Sequence, residues 1–472
     1  MRREPIMPET IQNRPGYRIL TWGCQMNEED SEQMALYLEE MGYAPVDDTA
    51  EADVVLLNTC SVRQKPEDKV YSKLGELREM KLARPDMVIG VCGCMAQVES
   101  AQIRKRAPFV DLVVGTGNIA AIPNLIRSVK ERRPVTHYAS RIAPITALDL
   151  PPRKGAVVTD VPLRSILRKQ KLKAHVPIMY GCDKFCTFCI VPFTRGRERS
   201  RPTAEILTEI RGLALQGTRE VTLLGQTVNS YGKNLAEGRV PFASLLEQID
   251  AIRGIQRIRF TSPYPRDFTD DLIEAIARLP KVCEHVHLPL QVADDALLER
   301  MHRGYTVARY REIVGKLRAA VPGIAITTDI MLGFPGETDE QYWNTMRFVE
   351  ETRFDAAFMF AYSIRPGTKA ADMDDQVPHD VKIDRLSRLV ALQNGITSEI
   401  NKSQVGQVME VLVEGRSQKD PSKLSGQTRT MKTVNFIVPD PETRSPDSLI
   451  GKLVPVRMTE GHLTGFTGEY AG

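Results

Sequence analysis

The 472-residue sequence predicts an α/β protein in three parts: a doubly wound parallel sheet, then a partial (β/α)6-type barrel, then a small β-barrel. Three observations predict it. From Tyr17 to Lys130 short apolar runs alternate with amphipathic helical stretches. A second strand-helix series begins near Val176. Roughly the last 70 residues lose helical period and alternate apolar with polar residues between Gly-rich turns.

Residues 1–16, "MRREPIMPETIQNRPG", are basic, then polar and Pro-rich, and read as a disordered leader. Residues 17–134 hold the strands "YRILTW", "ADVVLLN", "MVIGVC" and "DLVVGTG", each followed by a helical segment. Residues 135–167 read as a linker with Pro pairs and little periodicity. Around it Arg153, Lys154, Arg164, Arg168, Lys169, Lys171 and Lys173 make either a positive lid or a solvated face. Residues 168–400 offer the strands "VPIMY", "EVTLLGQ", "RIRFTS", "HVHLPLQ", "AITTDIMLG" and "AAFMFAYS", and reaction sites on such scaffolds lie at strand C-terminal ends. Residues 401–472 carry "QVMEVLVEG", "SGQTRTMKTVNFIV", "KLVPVRMTEG" and "LTGFTGEY", the signal of a small barrel.

A net charge of +3 excludes a polycation, so contact with nucleic acid must come from local patches. The start lacks the apolar core of a secretory signal, and no run approaches the roughly 18 apolar residues of a membrane helix. A cytoplasmic monomer is expected. In that compartment the eight cysteines are thiols, metal ligands or catalytic groups rather than a disulfide framework.

The sharpest motif is "GCDKFCTFC", which spaces Cys182, Cys186 and Cys189 as C-x3-C-x2-C after a strand. Three thiolates on one loop suit one face of an iron–sulfur cube and leave one iron open, as a reacting centre requires. A structural cluster or zinc site with a fourth ligand from elsewhere is the alternative. The segments "LTWGC", "LLNTC" and "GVCGC" each end an apolar strand with one variable residue, a small residue and a cysteine. This places Cys24, Cys60 and Cys94 in equivalent positions at one edge of a parallel sheet, where distant loops meet. Three unrelated packing cysteines are the bland reading. Cys92 falls in the variable slot, with Trp22 and Asn58, and reads as packing, as does Cys283.

The cysteine loop, with Phe188 before its last cysteine, resembles the radical S-adenosylmethionine superfamily. Nearly the whole chain, through "TWGCQMNEEDSE", "NTCSVR", "GCMAQ", "TRGRERSRP", "LLGQTVNSYG", "HLPLQ", "MLGFPGET" and "YSIRPGTKA", resembles the methylthiotransferases of that superfamily. Motif detail is closest to the branch that converts isopentenyladenosine at position 37, beside the tRNA anticodon, to its 2-methylthio form. The resemblance implies a radical SAM barrel, a TRAM-like RNA-binding barrel at the C-terminus, two 4Fe-4S clusters and S-adenosylmethionine. It also implies a tRNA anticodon stem-loop as partner, together with an external reductant and a sulfur source. Cys182, Cys186 and Cys189 would bind the S-adenosylmethionine-cleaving cluster, and Cys24, Cys60 and Cys94 the auxiliary one.

Gln226, Asn229, Asp329 and Gly333 lie where the barrel's top face is expected and are candidate cofactor contacts or loop hydrogen-bonders. Of the histidines, His285 and His287 are expected to line the barrel interior or mouth. Arg195, Arg197, Arg199 and Arg201 read as a comb for RNA phosphates or as a salt-bridged turn. Arg416, Lys419, Lys423, Arg429 and Lys432 give the last barrel a basic character suited to RNA. The family usually has Ser-Gly-Ser where this chain has Val292-Ala293-Asp294. Competing functions are methylthiolation of threonylcarbamoyladenosine or of a ribosomal protein and, from another class, an RNA-binding protein with structural metal sites.

Overall fold

The computed structural model describes residues 14–60, 64–132, 143–151, 161–162, 171–439 and 445–472. The expected leader up to residue 13 and most of the basic linker, including Arg153, Lys154, Arg164, Arg168 and Lys169, lie outside the described residues. The chain divides into two compact units, Met1–Arg168 with Ile190–Arg197, and Lys169–Cys189 with Glu198–Gly472.

The first unit is built on β1 (Gly16–Trp22), β2 (Ala44–Pro45), β3 (Val54–Thr59), β4 (Val88–Gly93), β5 (Leu112–Val114) and β6 (Ile145–Ala147). They form one parallel sheet in the order β2-β1-β3-β4-β5-β6. Alternation along the strands divides the core in two. Val55, Leu57, Ile89 and Val91 pack against α2 (Gln64–Ala83) and α3 (Cys94–Arg106), whereas Val54, Leu56, Val88 and Cys92 pack against α1 (Gln25–Glu40) and α4 (Ile122–Arg132). Burial of both faces is why these strands read as continuous apolar runs. The sixth strand, β6, lies inside the stretch expected to be a linker; three residues long and bordered by Pro144, it was too short to show a period.

In the second unit, β7 (Lys173–Pro177), β10 (Glu220–Leu224) and β11 (Arg257–Phe260) form one parallel sheet, and β12 (His285–His287), β13 (Ala325–Leu332) and β14 (Ala356–Ala361) another. Ile258 of β11 makes a parallel bridge to Val282, three residues before β12, and one hydrophobic core spans both sheets of this six-stranded partial barrel. The first strand is "KAHVP" rather than "VPIMY". Pro177 has no N–H to continue the ladder, and the next pair, β8 (Met179–Tyr180), turns to pair antiparallel with β9 (Arg199–Ser200).

After the helix His379–Ser403, strands β15 (Val408–Arg416), β16 (Leu424–Thr428), β17 (Thr433–Ile437), β18 (Leu453–His462) and β19 (Gly465–Tyr470) close a barrel in the order β15-β16-β17-β19-β18. Its core is Val411, Val413, Leu424, Val434, Phe436, Val456, Met458 and Phe466. It seats on the residues that begin the strands of the larger barrel. Arg257, fully buried, donates to Gln427 O at 2.7 Å and to Glu410 O and Oε1 at 3.0 Å. Arg259 donates to Arg429 O and Thr428 O at 2.8 and 2.7 Å. Glu220, buried between them, lies 3.1 Å from Arg259 Nε and 3.8 Å from Arg257 Nη1. The strand N-terminal end is therefore covered, and the C-terminal end is left for chemistry. Arg257→Met leaves Glu220 and the opposing carbonyls with fewer donors and is expected to cost ~3–5 kcal/mol, seen as a lower urea midpoint. A loss below ~1 kcal/mol contradicts this account of the seam.

Candidate metal centres

The first centre lies at the carboxyl edge of the six-stranded sheet. Pairing sets Thr21 beside Asn58 and Asn58 beside Cys92, then Trp22 beside Thr59 and Thr59 beside Gly93. Cys60 and Cys94 therefore leave their strands level with one another. Cys24 lies one residue further out, which corrects the expected equivalence of all three. Gly23 and the N-cap position of Cys24 take up the extra residue. Cys24 caps α1 and Cys94 opens α3, so two of the three sulfurs stand at helix N-termini, where thiolates are favoured.

The sulfurs are mutual neighbours. Hydrogen bonding with Cys60 lowers the pKa of Cys24 and Cys94 against the opposing effect of desolvation, and hydrogen bonding with the other two raises that of Cys60. The Arg195 guanidinium adds to the lowering at Cys24 and Cys94. Arg195 is buried and paired to buried Asp30 at 2.9 Å. Beneath the triad, Asn27 Nδ2 donates to Asn58 Oδ1 at 3.2 Å, Asn58 Nδ2 to Asn27 O and Ser31 Oγ at 2.8 and 2.9 Å, and Asn27 Oδ1 receives Cys24 N at 3.3 Å. Gly93, at φ +88°, is required here, because a Cβ would meet Asn58 Oδ1 at 2.3 Å and Thr59 O at 2.8 Å. Cys92 belongs to the apolar core on the α1 and α4 side. Burial, followed by the charge of Asp30, pushes its thiol up to about 12.

The second centre is the loop after β8. Cys182 and Cys186 are buried and Cys189 is half-buried, with Cys189 N donating to Cys186 O at 3.0 Å. Burial, then the neighbouring Cys189, raises the pKa of Cys182. The turn at residues 300–303 holds this loop. Thr187 N donates to Met301 O at 3.1 Å, Thr187 Oγ1 to Arg300 O at 3.0 Å, and His302 Nδ1 lies 3.3 Å from Phe185 O. Phe185 and His302 both take positive φ, 49° and 58°. Below the loop Lys184 pairs with Asp267 at 2.5 Å, and Asp267 also receives Ser230 Oγ at 2.6 Å. Among the described residues no three His, Cys, Asp or Glu side chains close to single-ion spacing. A polynuclear cluster, whose ligands bind different irons, does not need it. Three thiols apiece, with no acid or imidazole among them, fit iron–sulfur clusters that each keep one iron open.

The remaining expected site residues divide by their partners. Gln226 Oε1 is buried and has no hydrogen-bond partner among the described residues, as a ligand-facing amide would be. Asn229 is used within the fold, donating to Tyr264 O at 2.9 Å and receiving Tyr264 N at 2.7 Å. Asp329 lies 3.4 Å from His287 Nε2, and Thr327 Oγ1 lies 3.0 Å from His287 Nδ1. Gly333, at φ +69°, donates to Glu337 Oε2 at 2.7 Å. Asp294, in the departing tripeptide, caps the helix Asp295–Arg300 and receives Gln341 Nε2 and Asn344 Nδ2 at 2.9 and 3.1 Å. That substitution is thus a helix–helix tie.

The expected arginine comb is not an exposed face. Arg195, Arg199 and Arg201 are buried and Arg197 is half-buried. Arg201 donates to Pro177 O at 2.7 Å and Glu209 at 2.8 Å. The alternating pattern "RGRERSR" placed charges where the fold needed internal donors, which sequence alone does not distinguish from a phosphate comb. Arg429 and Lys432 are likewise part of the seam: Arg429 pairs with Glu284 at 2.6 Å, and Lys432 lies 3.5 Å from Asp355. Arg416 pairs with Asp447 at 2.9 Å. Lys419 and Lys423 line a surface groove of the small barrel with Ser417, Asn435, His462, Thr467 and Asp420, and Lys423 lies 3.3 Å from Asp420. Sequence reasoning missed Asn27, Asp30 and Asn58; their signal was position, three and six residues after Cys24 and two before Cys60.

Family models match three stretches: Uncharacterized protein family UPF0004 at residues 16–115, the Radical SAM superfamily at 176–349 and the TRAM domain at 402–469. A tRNA-2-methylthio-N(6)-dimethylallyladenosine synthase of Moorella thermoacetica is 48% identical over 97% of this chain and 99% of its own length. The synthase of that name from Carboxydothermus hydrogenoformans is 47% identical over 96% and 98%. Among solved structures, the radical S-adenosylmethionine methyltransferase TsrM of Kitasatospora setae shares the fold, with TM-score 0.55 and 16% identity over 76% of this chain and 75% of that one. With near full-length identity of this order across all three matched stretches, the chain belongs to the tRNA-2-methylthio-N(6)-dimethylallyladenosine synthase family of radical S-adenosylmethionine enzymes.

Proposed function

We propose that this chain is a tRNA methylthiotransferase that places a methylthio group on C2 of isopentenyladenosine at position 37, beside the anticodon. The observation that carries the reading is a pair of separate three-thiol sites in a chain of this family. When bound, a 4Fe-4S cluster held by Cys182, Cys186 and Cys189 together with S-adenosylmethionine would supply a radical able to remove hydrogen from carbon, and a second 4Fe-4S cluster held by Cys24, Cys60 and Cys94 would carry the sulfur to be transferred, methylated by another S-adenosylmethionine. A radical is needed because an adenine C2–H offers no easily removed proton for acid–base groups.

The residues of the chain have the following parts. Cys24, Cys60 and Cys94 present thiolates to one cluster, and Arg195 offsets their combined negative charge. The Lys184–Asp267 pair fixes the second cysteine loop on the barrel. Gln226 presents its unpartnered Oε1 to the cofactor or to adenine. His287, Thr327 and Asp329, on the strands of the barrel, orient the substrate. Lys419 and Lys423 hold RNA phosphate at the small barrel's groove. The transfer also draws on an electron from an external reductant, a methyl group from a second S-adenosylmethionine and a sulfur from an outside source, since the ligand cysteines cannot give up sulfur and remain ligands. Both triads are complete within one chain, so the reading takes it as a monomer. No helix among the described residues is long and apolar enough to cross a membrane; a tRNA substrate supports reading the protein as cytoplasmic.

The direct test is nucleoside analysis of tRNA from cells lacking this chain: 2-methylthio-isopentenyladenosine is expected to vanish and isopentenyladenosine to accumulate. An unchanged profile, or loss of a methylthio group from threonylcarbamoyladenosine or a ribosomal protein instead, contradicts the reading. The register of β4 makes a sharper prediction. After anaerobic reconstitution Cys92→Ser is expected to keep about eight irons and its activity, whereas Cys94→Ser keeps about four and loses methylthiolation; the reverse pattern overturns the assignment. For RNA, Lys419→Glu with Lys423→Glu is expected to weaken tRNA binding and lower the log–log salt slope by ~1–2. An unaltered slope removes the groove from the interface.

A further inference from the structure

Among the described residues of the second unit, one buried charge has no acid to balance it. Arg303 is 7% exposed. Its Nε donates to Tyr305 Oη at 3.2 Å, its Nη2 to Pro289 O at 3.3 Å and its Nη1 to Cys186 Sγ at 3.4 Å. The guanidinium carbon stands 4.9 Å from the Tyr264 ring centre and 5.3 Å from that of Tyr305. The Tyr264 hydroxyl in turn donates to Arg303 O. Among the described residues no carboxylate lies within ion-pairing distance of it. Two other buried arginines near the centres differ: Arg195 has Asp30 and Arg201 has Glu209.

A guanidinium enclosed by two tyrosines and a backbone carbonyl loses much of its hydration, and ring faces and neutral acceptors restore only part of it. A buried cation needs an anion nearby. The atom that this geometry offers is the sulfur of Cys186, one of the three thiols of the second centre, which carries negative charge as a cluster ligand. A planar donor fork suits that task, because one arm reaches the sulfur while the others anchor to Tyr305 and Pro289.

We propose that Arg303 is a positioning residue that sets the reduction potential of the cluster at Cys182, Cys186 and Cys189, its charge balanced by that cluster through the hydrogen bond to Cys186. The inference rests on the reading of these cysteines as cluster ligands. Hydrogen bonds to ligand sulfurs and nearby positive charge both favour the more negative, reduced state of a cluster. Arg303 therefore makes the electron easier to place where S-adenosylmethionine is cleaved. It acts through Cys186.

Two measurements on the reconstituted full-length chain test this. The first is a redox titration followed by electron paramagnetic resonance, reading the cluster signal that changes when S-adenosylmethionine is added. Arg303→Met is expected to disfavour the reduced state about tenfold or more, a shift of about 59 mV to lower potential for one electron. Arg303→Lys, which keeps the charge and loses the fork, is expected to fall between. The second is the rise in melting temperature on cluster assembly, expected to be smaller in Arg303→Met than in the parent, because the apoprotein no longer carries an unbalanced charge. If Arg303→Met does not fold, Arg303→Lys still decides through its potential. A parent-like potential with a parent-like iron content in the variants overturns the inference and leaves the function standing. A parent chain that takes up no iron at Cys182, Cys186 and Cys189 overturns the cluster reading itself.

Discussion

The register of three parallel strands is the constraint on which the N-terminal centre depends. Parallel pairing of β1, β3 and β4 brings three loops distant in sequence to one edge of the sheet. Period two within each strand then sends every residue to a stated face. One residue of slip would exchange Cys92 and Val91 between the two cores, and would move Cys94 away from Cys60. Burial of both sheet faces holds that register. The Asn27–Asn58 pair locks the strand ends to the start of α1 with hydrogen bonds that only this alignment satisfies. The cysteine site is therefore a by-product of core packing.

Charge handling follows from the same economy of space. Thiolates crowded together repel one another, and the chain answers with cations placed inside rather than on the surface. Arg195 faces the sheet-edge triad from a segment that begins one residue after Cys189, so the chain leaves one cysteine site and directly supplies the counter-charge of the other. Arg303 faces Cys186. Arg257 and Arg259 perform a different task at the opposite end of the barrel strands, where they hold the small barrel by its backbone carbonyls. Arginine suits each of these places because its charge persists on burial and its donors diverge in a plane.

Much of this was legible in the sequence. The grouping of the thiols, the place of Cys92 in the core, the parallel sheet and the closed C-terminal barrel were signalled by spacing, strand-end composition and period. What was not legible shares one physical cause: the side chains concerned act on partners far away in sequence. Arg195 reads as a phosphate ligand until Asp30, 165 positions earlier, is beside it. Arg429 reads as an RNA contact until Glu284 is seen. The short β6 and the early start of β7 were hidden for another reason, since three to five residues carry too little periodicity to separate a strand from a turn. The one-residue offset of Cys24 was invisible because an aligned motif does not reveal ladder register.

The claim at the centre of this account is that each triad holds a four-iron cluster with one iron free of protein sulfur. Diffraction at the iron absorption edge from anaerobically reconstituted crystals measures it directly. The account predicts two separate four-iron clusters, one on Cys24, Cys60 and Cys94 and one on Cys182, Cys186 and Cys189, each with a single iron bearing no side-chain ligand. A fourth protein ligand on either cluster, Cys92 included, or a lone metal ion at either triad would contradict it.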